Sequence, residues 1–213
     1  MNTRRDLIAG LGVTALGSAL WYSIPQVDGA MKAGKRPNTP FTNVPLYTQD
    51  GEKVRFYDDL IRGKVAVINM MYVMCEGICP TMTANMRQVQ RLLGRRLGRD
   101  VYLYSITLQP HLDTPDTLKA YADKHGAKPG WTFLTGDPDD VRRLRYSLGF
   151  FDPVPEVDEN LSTHTGMLRI GNDRTQRWTM APALCNAKRI VATINHVDTR
   201  MVATRYDPAV NIS

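Results

Sequence analysis

Cysteine and histidine are few in this sequence. The chain of 213 residues has three cysteines, four histidines and 8% aromatic residues. No aromatic residues interleave with the arginines of the predicted helices, which argues against a base-stacking nucleic-acid surface despite a net charge of +6. We interpret these arginines as solvated helix faces and predict no nucleic-acid partner. The chain also lacks internal repeats, which argues against a repeat architecture.

Apolar runs of membrane length are absent except near the N-terminus. There, Arg4 and Arg5 precede a mostly apolar, uncharged run, Leu7 to Pro25. Such a run suits an export signal or a membrane anchor, and TRRDLIA is similar to a twin-arginine signal. We therefore predict that residues 1–25 export or anchor the protein to the periplasmic side of the inner membrane, where disulfides persist and metals are handled.

Composition divides the rest of the chain into three parts. Residues 26–43 are polar and rich in Gly, Lys, Pro and Asn, which predicts a linker. The folded domain is predicted over residues 44–199, and residues 200–213 are predicted to be a C-terminal tail. The domain opens with VPLYTQDGEKVRFY, whose alternation around Asp50-Gly51 predicts a β-hairpin, because this dipeptide supplies the positive φ angles of a tight turn.

Strands and helices then alternate along the domain. The apolar run 64–73 has the length of a central strand that is buried on both faces. Pro80 fits the first position of a helix, because proline loses no needed hydrogen bond there. We predict strands at 64–73, 101–108, 131–134, 165–170 and 178–180, and helices at 80–97, 113–126, 136–149 and 182–198. A hairpin followed by βαβ units, with a cysteine pair at a strand-to-helix turn, predicts an α/β protein with the thioredoxin fold.

Two of the three cysteines, Cys75 and Cys79, lie at that turn in the segment MYVMCEGICP. Cys79 is predicted at the cap of the helix, where unpaired backbone N–H groups stabilise thiolates, and Cys75 lies in the loop before it. A helical turn would separate their Cα atoms by about 6 Å, which allows a disulfide or a shared soft metal ion. A permanent disulfide closing so short a loop would constrain the unfolded chain little, so we predict a redox-active pair.

A third metal ligand would have to come from the four histidines. His111 and His125 are predicted in a loop and at a helix end, and His196 on a helix surface. His164, in NLSTHTGMLRI, precedes a strand that should run beside the central strand, so its loop can approach the cysteines. It is either a ligand or a polar loop residue. Two thiolates and an imidazole suit Cu(I), and with Cu(II) the thiolates balance the charge of the ion, whereas zinc usually takes a fourth ligand.

Several segments resemble those of one family, in order along the chain. MYVMCEGICPTMTANM is similar to the C-x-x-x-C-P segment of the Sco (SenC-type) proteins. SITLQPHLDTPDTLKAYADKHG and PGWTFLTGDPDDVRRLRYSLGFF resemble two further family segments, and STHTGMLRIGND resembles the segment with the metal-binding histidine. The resemblance covers about residues 41–198.

The resemblance implies a thioredoxin-like fold with an N-terminal β-hairpin extension and a central mixed sheet flanked by helices. It also implies that copper binds through Cys75, Cys79 and His164, and that the protein helps to build the copper centre of cytochrome c oxidase subunit II or of a similar copper protein. Other thiol-redox proteins and copper chaperones are further implied partners. Glu76 stands where the family often has proline or another uncharged residue, and its charge would oppose thiolates or favour a bound cation.

Two other functions would use the same segment. A thiol–disulfide oxidoreductase would need only Cys75 and Cys79, with one thiolate attacking a partner disulfide and the other resolving the mixed disulfide. His164 distinguishes the two functions, because such an enzyme needs no imidazole beside its dithiol. A peroxidase is disfavoured, because the residues before Cys75 lack the proline and the threonine of that kind of site. The enzyme assignment thus stays open, with a copper chaperone favoured.

Sulfur atoms outside the pair have simpler explanations. Core filling explains a cluster of methionines near the cysteines better than copper binding does. The cluster consists of Met70, Met71, Met74, Met82 and Met86. Cys185 is predicted to be a small buried hydrophobic residue on the last helix.

Overall fold

A mixed sheet of seven strands forms the centre of the part of the chain that the computed structural model describes, residues 41–161 and 166–198. The strands are β1 (Pro45–Thr48), β2 (Lys53–Arg55), β3 (Val65–Met71), β4 (Val101–Thr107), β5 (Trp131–Thr135), β6 (Met167–Asn172) and β7 (Arg177–Pro182). The helices are α1 (Cys79–Leu93), α2 (Pro115–His125), α3 (Pro138–Leu148), α4 (Pro155–Asp158) and α5 (Ala187–Val197). A π-helical segment, Phe56–Ile61, follows β2, and a 3-10 turn, Gly94–Arg96, follows α1.

The strand order in the sheet is β2-β1-β5-β4-β3-β6-β7. β4 pairs in parallel with both β3 and β5, whereas the pairs β3–β6, β6–β7, β1–β2 and β1–β5 are antiparallel. The predicted hairpin is β1–β2, and Gly51 in its turn has a φ of 80°, which suits glycine. The predicted α/β fold, with its hairpin extension and mixed sheet, is confirmed.

Strand β3 lies between β4 and β6 in the interior of the sheet, and all seven of its residues are buried. One face of the sheet packs against α1, α2 and α5, and the other face packs against α3 and the π-helical segment. Because both faces of such a strand are covered, apolar side chains occupy consecutive positions, which explains the apolar run at 64–73. The loop that leaves the carboxyl end of β3 therefore starts from a rigid base and runs directly into α1.

The ends of two helices differ from the prediction. Helix α1 ends at Leu93 rather than at Leu97, because Gly94 leaves the helical region with a φ of 52°. The helix predicted from Pro182 is wrong over its first turn, since Pro182 ends strand β7 and pairs with Met167. Helix α5 begins only at Ala187, after the side chain of Asn186 accepts a hydrogen bond from a backbone N–H group and caps it.

Several predicted segments lie outside the described residues. They are the export segment 1–25, most of the linker 26–43, residues 162–165 with His164, and the chain from residue 199 onward. These predictions stay predictions. Among residues 41–161 and 166–198, no helix combines the length and the apolar character that a membrane span requires.

Candidate dithiol and metal site

The two cysteines of the predicted pair lie where β3 passes into α1. Cys79 is the first residue of α1 and is fully buried, while Cys75 lies in the preceding loop and is 6% exposed. No disulfide joins the two side chains. They belong to the core cluster on the side of α1, α2 and α5, so the dithiol lies at the edge of a packed core rather than on an open surface.

Hydrogen bonds favour the thiolate of Cys75. Burial by itself raises the pKa of Cys75, but hydrogen bonds from the Cys79 thiol, from the backbone N–H groups of Cys79 and Gly77, and from the Tyr72 hydroxyl together lower this pKa below its ordinary value. These backbone N–H groups belong to the first turn of α1 and to the loop before it, where a helix stabilises anions. The same contact with Cys75 raises the pKa of Tyr72, as do burial and the charges of the two cysteines.

A buried aspartate holds the loop that carries Cys75. Asp113, which is 1% exposed, accepts a hydrogen bond at Oδ2 from the backbone N–H of Val73 at 3.1 Å. The same oxygen accepts a second hydrogen bond from the Thr107 hydroxyl at 2.5 Å. Sequence reasoning placed Asp113 at the start of a helix and missed this role. The sequence signal that could have revealed this role is the family-like Asp-Thr-Pro segment. Thr114 in this segment caps α2, so Asp113 is not needed as the cap.

A tyrosine–threonine pair lies near the two sulfurs. The Tyr121 hydroxyl and Thr83 Oγ1 are 2.9 Å apart and buried. Burial raises the pKa of Tyr121, the hydrogen bond with Thr83 lowers it, and the nearby charges of Cys79, Cys75 and Asp113 raise it further. The dithiol therefore has polar neighbours on its buried side as well as at the helix end.

The segment just before β6 reaches Ile78, the residue before Cys79, although His164 itself lies outside the described residues. β6 pairs with β3, as the sequence predicted. Gly166 precedes β6 with a φ of 90°, and a Cβ atom at this position would lie 2.8 Å from Cδ1 of Ile78. Ile78 is the residue before Cys79, so the backbone at position 166 touches the dithiol loop. The Gly166 carbonyl also accepts a hydrogen bond from the Ala183 N–H at 2.8 Å.

The other histidines lie at the surface or at a helix end. His111 is exposed, and His196 is exposed with Nε2 at 2.9 Å from an Arg177 guanidinium nitrogen. His125 ends α2 with its ring centroid 4.3 Å from that of Tyr121, and burial lowers its pKa together with the charges of Lys124 and Arg87. Within the described ranges, no three or more His, Cys, Asp or Glu side chains gather as a metal site would require.

The remaining sulfur-containing residues of the prediction are buried in the core, as expected, with two exceptions. Four methionines of the cluster fill the core, each at most 1% exposed: Met70, Met71, Met82 and Met86. Met74, next to Cys75, is 72% exposed and is the first exception. Cys185 is half-buried and lies before α5 rather than on it, in a segment whose carbonyl groups bind the Asn85 side chain.

Comparison with known proteins identifies the family. The family model described as SCO1/SenC matches residues 31–198. A protein of Stutzerimonas stutzeri that is named for copper binding is 31% identical over 125 residues, which cover 57% of this chain and 60% of that protein. The chain spans about half the length of the curated relatives that it matches, between 45% and 60%.

Two solved structures show the same fold. Yeast Sco1, solved with copper bound, has a TM-score of 0.59 and 21% identity, covering 83% of this chain and 99% of the yeast chain. BsSco, described as a member of the Sco family of cytochrome c oxidase assembly proteins with a disulfide switch, has a TM-score of 0.60 and 24% identity, covering 78% of this chain and 97% of BsSco. With a family model matched over most of its length, this chain belongs to the SCO1/SenC family.

Proposed function

We propose that this chain is an extracytoplasmic copper-binding protein that assists assembly of the copper centre of cytochrome c oxidase. Cys75, Cys79 and His164 are the proposed copper ligands. Residues 1–25 are the proposed export signal or anchor, and residues 44–199 the proposed copper-binding domain. The proposed client is subunit II of the oxidase or a similar copper protein on the periplasmic side of the inner membrane.

The contact between Gly166 and Ile78 is the observation that carries the proposal. Position 164 is two residues from Gly166, and two residues of extended chain span at most about 7 Å. Gly166 touches the residue before Cys79, so an imidazole at position 164 has the reach to join the two sulfurs. This supports a three-residue ligand set without requiring any other histidine to move.

The donor chemistry favours copper over other metals. The hydrogen bonds that lower the pKa of Cys75 favour its thiolate, which is the form that binds a metal. Two sulfurs and one imidazole are soft donors that suit Cu(I) and also accept Cu(II), whereas structural zinc usually takes four protein ligands. The name of the Stutzerimonas stutzeri relative and the copper in yeast Sco1 point the same way.

A thiol–disulfide oxidoreductase is the second candidate, and it is favoured by the difference in exposure between Cys75, at 6%, and Cys79, at 0%. The Cys75 thiolate would attack a partner disulfide, forming a mixed disulfide and releasing one partner thiolate. Cys79, which is fully buried, would then attack the Cys75 sulfur and release the second partner thiolate. The chain would end as the Cys75–Cys79 disulfide and the partner as a dithiol, so the electrons balance.

Copper stoichiometry separates the two candidates. The reduced, exported protein should bind one Cu(I) per chain in a competition titration against a chromophoric chelator. Binding should vanish in Cys75→Ala and Cys79→Ala and weaken severely in His164→Ala. Cys185→Ala is the matched control and should bind copper like the wild type. Copper binding that is unchanged in all three variants would rule out the proposed site, and disulfide exchange that is lost in the two cysteine variants would then leave the oxidoreductase as the function.

A further inference from the structure

Exposed cationic side chains form a basic face toward the carboxyl ends of α1 and α2. The chain has no Asp or Glu from residue 79 to residue 99, the segment that contains α1. The basic face consists of Arg87 and Arg91 from α1, Arg95 from the 3-10 turn after it, Lys124 from the last turn of α2 and Lys128 from the loop that follows. All five are exposed, as the sequence predicted for the arginines. In the part of the chain that the structure describes, none of them forms an ion pair.

A buried glutamine holds the loop that carries Lys128 against α1. Gln90 is 4% exposed, and its side chain donates to the Gly126 carbonyl at 2.9 Å and accepts from the backbone N–H of Lys128 at 2.8 Å. Arg91 and Lys128 line one cavity of about 380 Å³. A Cβ atom at Gly126 would lie 3.7 Å from Nε of Arg87, so this guanidinium lies beside the same loop. The fold therefore holds the cations of α1 and those of the loop next to one another.

The positive charges of the basic face repel one another. Arg87 and Arg91 are four residues apart in α1, a spacing at which like charges destabilise a helix slightly. The repulsion extends to the neighbouring histidine: burial lowers the pKa of His125, and the charges of Lys124 and Arg87 lower it further. A group of unpaired like charges that the fold holds together fits a partner with negative charge.

The side chains of the basic face favour an anionic lipid surface over an acidic protein. The centre of a protein–protein interface is enriched in aromatic residues and depleted of lysine. The basic face has no aromatic member, and Leu92 is the one large apolar side chain that α1 exposes. Clusters of about four to eight Lys and Arg side chains are typical of surfaces that bind anionic lipid headgroups. The five cations of the basic face fall within this range.

We propose that the basic face docks on the anionic headgroups of a membrane, an inference that rests on the proposed location at the periplasmic side of the inner membrane. Cys79 begins α1, and Arg91 lies 12 positions further along it, a rise of about 18 Å at about 1.5 Å per residue. Docking through the basic face therefore leaves the dithiol uncovered. A client protein reaches the two sulfurs while the lipid surface holds the other end of α1.

Lysine acetylation in the full chain tests the docking. The chain is reconstituted in vesicles of phosphatidylcholine, with or without phosphatidylglycerol, and a membrane-impermeant reagent acetylates its lysines at rates that mass spectrometry measures. We expect Lys128 to react at least about threefold more slowly when phosphatidylglycerol is present. Salt at about 1 M should restore the rate, because it shortens the screening length to about 3 Å. Lys188 is exposed at the start of α5, outside the basic face, and should react equally in both kinds of vesicle.

Two double variants separate the basic face from the overall charge. Arg87→Gln with Arg91→Gln should return the Lys128 rate in phosphatidylglycerol vesicles to the rate in phosphatidylcholine. Arg55→Gln with Arg189→Gln removes the same charge from other exposed positions and should keep the slow rate. Equal Lys128 rates in the two kinds of wild-type vesicle would overturn the proposal in favour of an acidic protein partner, and equal effects of the two double variants would also overturn it. Failure of docking leaves the copper stoichiometry of the wild type unchanged, so it is distinguishable from failure of the proposed copper site.

Discussion

Asp113→Ala should loosen the loop that carries Cys75 without touching either cysteine. The substitution removes the acceptor for two donors, the backbone N–H of Val73 and the hydroxyl of Thr107. Both donors lie at the carboxyl ends of neighbouring strands or just beyond them, where β3 leads into the dithiol loop. The loss of these two hydrogen bonds should therefore loosen the segment between β3 and α1 first.

The magnitude follows from the burial of the two donors. A buried donor left without a partner costs about 1–3 kcal/mol. Thr107 is fully buried, but Val73 is half-buried and water can replace part of its lost bond. We therefore expect the free energy of unfolding to fall by about 2–3 kcal/mol, at the lower end of the range for two groups. For a chain of this size, that loss lowers the Tm by about 5–10 °C.

Two assays check this expectation. Urea unfolding followed by circular dichroism gives the loss of stability, and the rate at which iodoacetamide alkylates Cys75 reports the opening of the loop. Asp113→Asn is the control: its amide oxygen keeps the acceptor, so less than half of the loss should remain. If Asp113→Ala unfolds like the wild type, or if asparagine is as damaging as alanine, the acceptor argument is wrong.

Two further predictions concern the dithiol and its neighbour at position 166. When the alkylation rate of Cys75 is measured against pH, it should reach half its maximum at a pH below the ordinary thiol pKa of about 8.5. Tyr72→Phe should move this midpoint to higher pH, because the substitution removes a hydrogen bond that lowers the pKa of Cys75. An unmoved midpoint would exclude Tyr72 as a donor. In a chelator competition, Gly166→Ala should weaken Cu(I) binding more than Gly149→Ala does. Both glycines have a positive φ, so each substitution costs about 1–2 kcal/mol of backbone strain. Only at position 166, however, would the added Cβ atom meet Ile78. Equal copper affinity in the two variants would contradict the proposed approach of that segment to the dithiol.

Local signals predicted much of the fold. The hairpin at Asp50-Gly51 and the buried strand after Gly63 depend on turn chemistry and hydrophobic runs, which are visible over a few residues. Helix α3 begins after Asp137, whose side chain accepts from two backbone N–H groups, and ends at Gly149 in the left-handed region, as its sequence indicated. The placement of Cys79 at a helix start has the same local origin.

The misses come from contacts between distant parts of the chain. Pro182 looked like a helix start, but pairing with β6 makes it the end of an edge strand, where a missing N–H is tolerated. Asp113 was predicted as the first residue of a helix, yet its side chain accepts hydrogen bonds that exist only once β3 and β4 are side by side. The pairing of Arg145 with Asp158, 13 positions apart, follows no helical or strand spacing. Such contacts depend on tertiary packing, which a single sequence does not display.

The methionines near the dithiol differ greatly in solvent exposure, and this difference determines which of them an oxidant attacks first. Oxygen transfer to a thioether requires access, and the methionines in the core near the dithiol are sealed from solvent. Met74 is open to solvent and stands beside Cys75. We therefore expect peroxide to convert Met74 to its sulfoxide before any of these core methionines, which turns an apolar side chain next to Cys75 into a polar one.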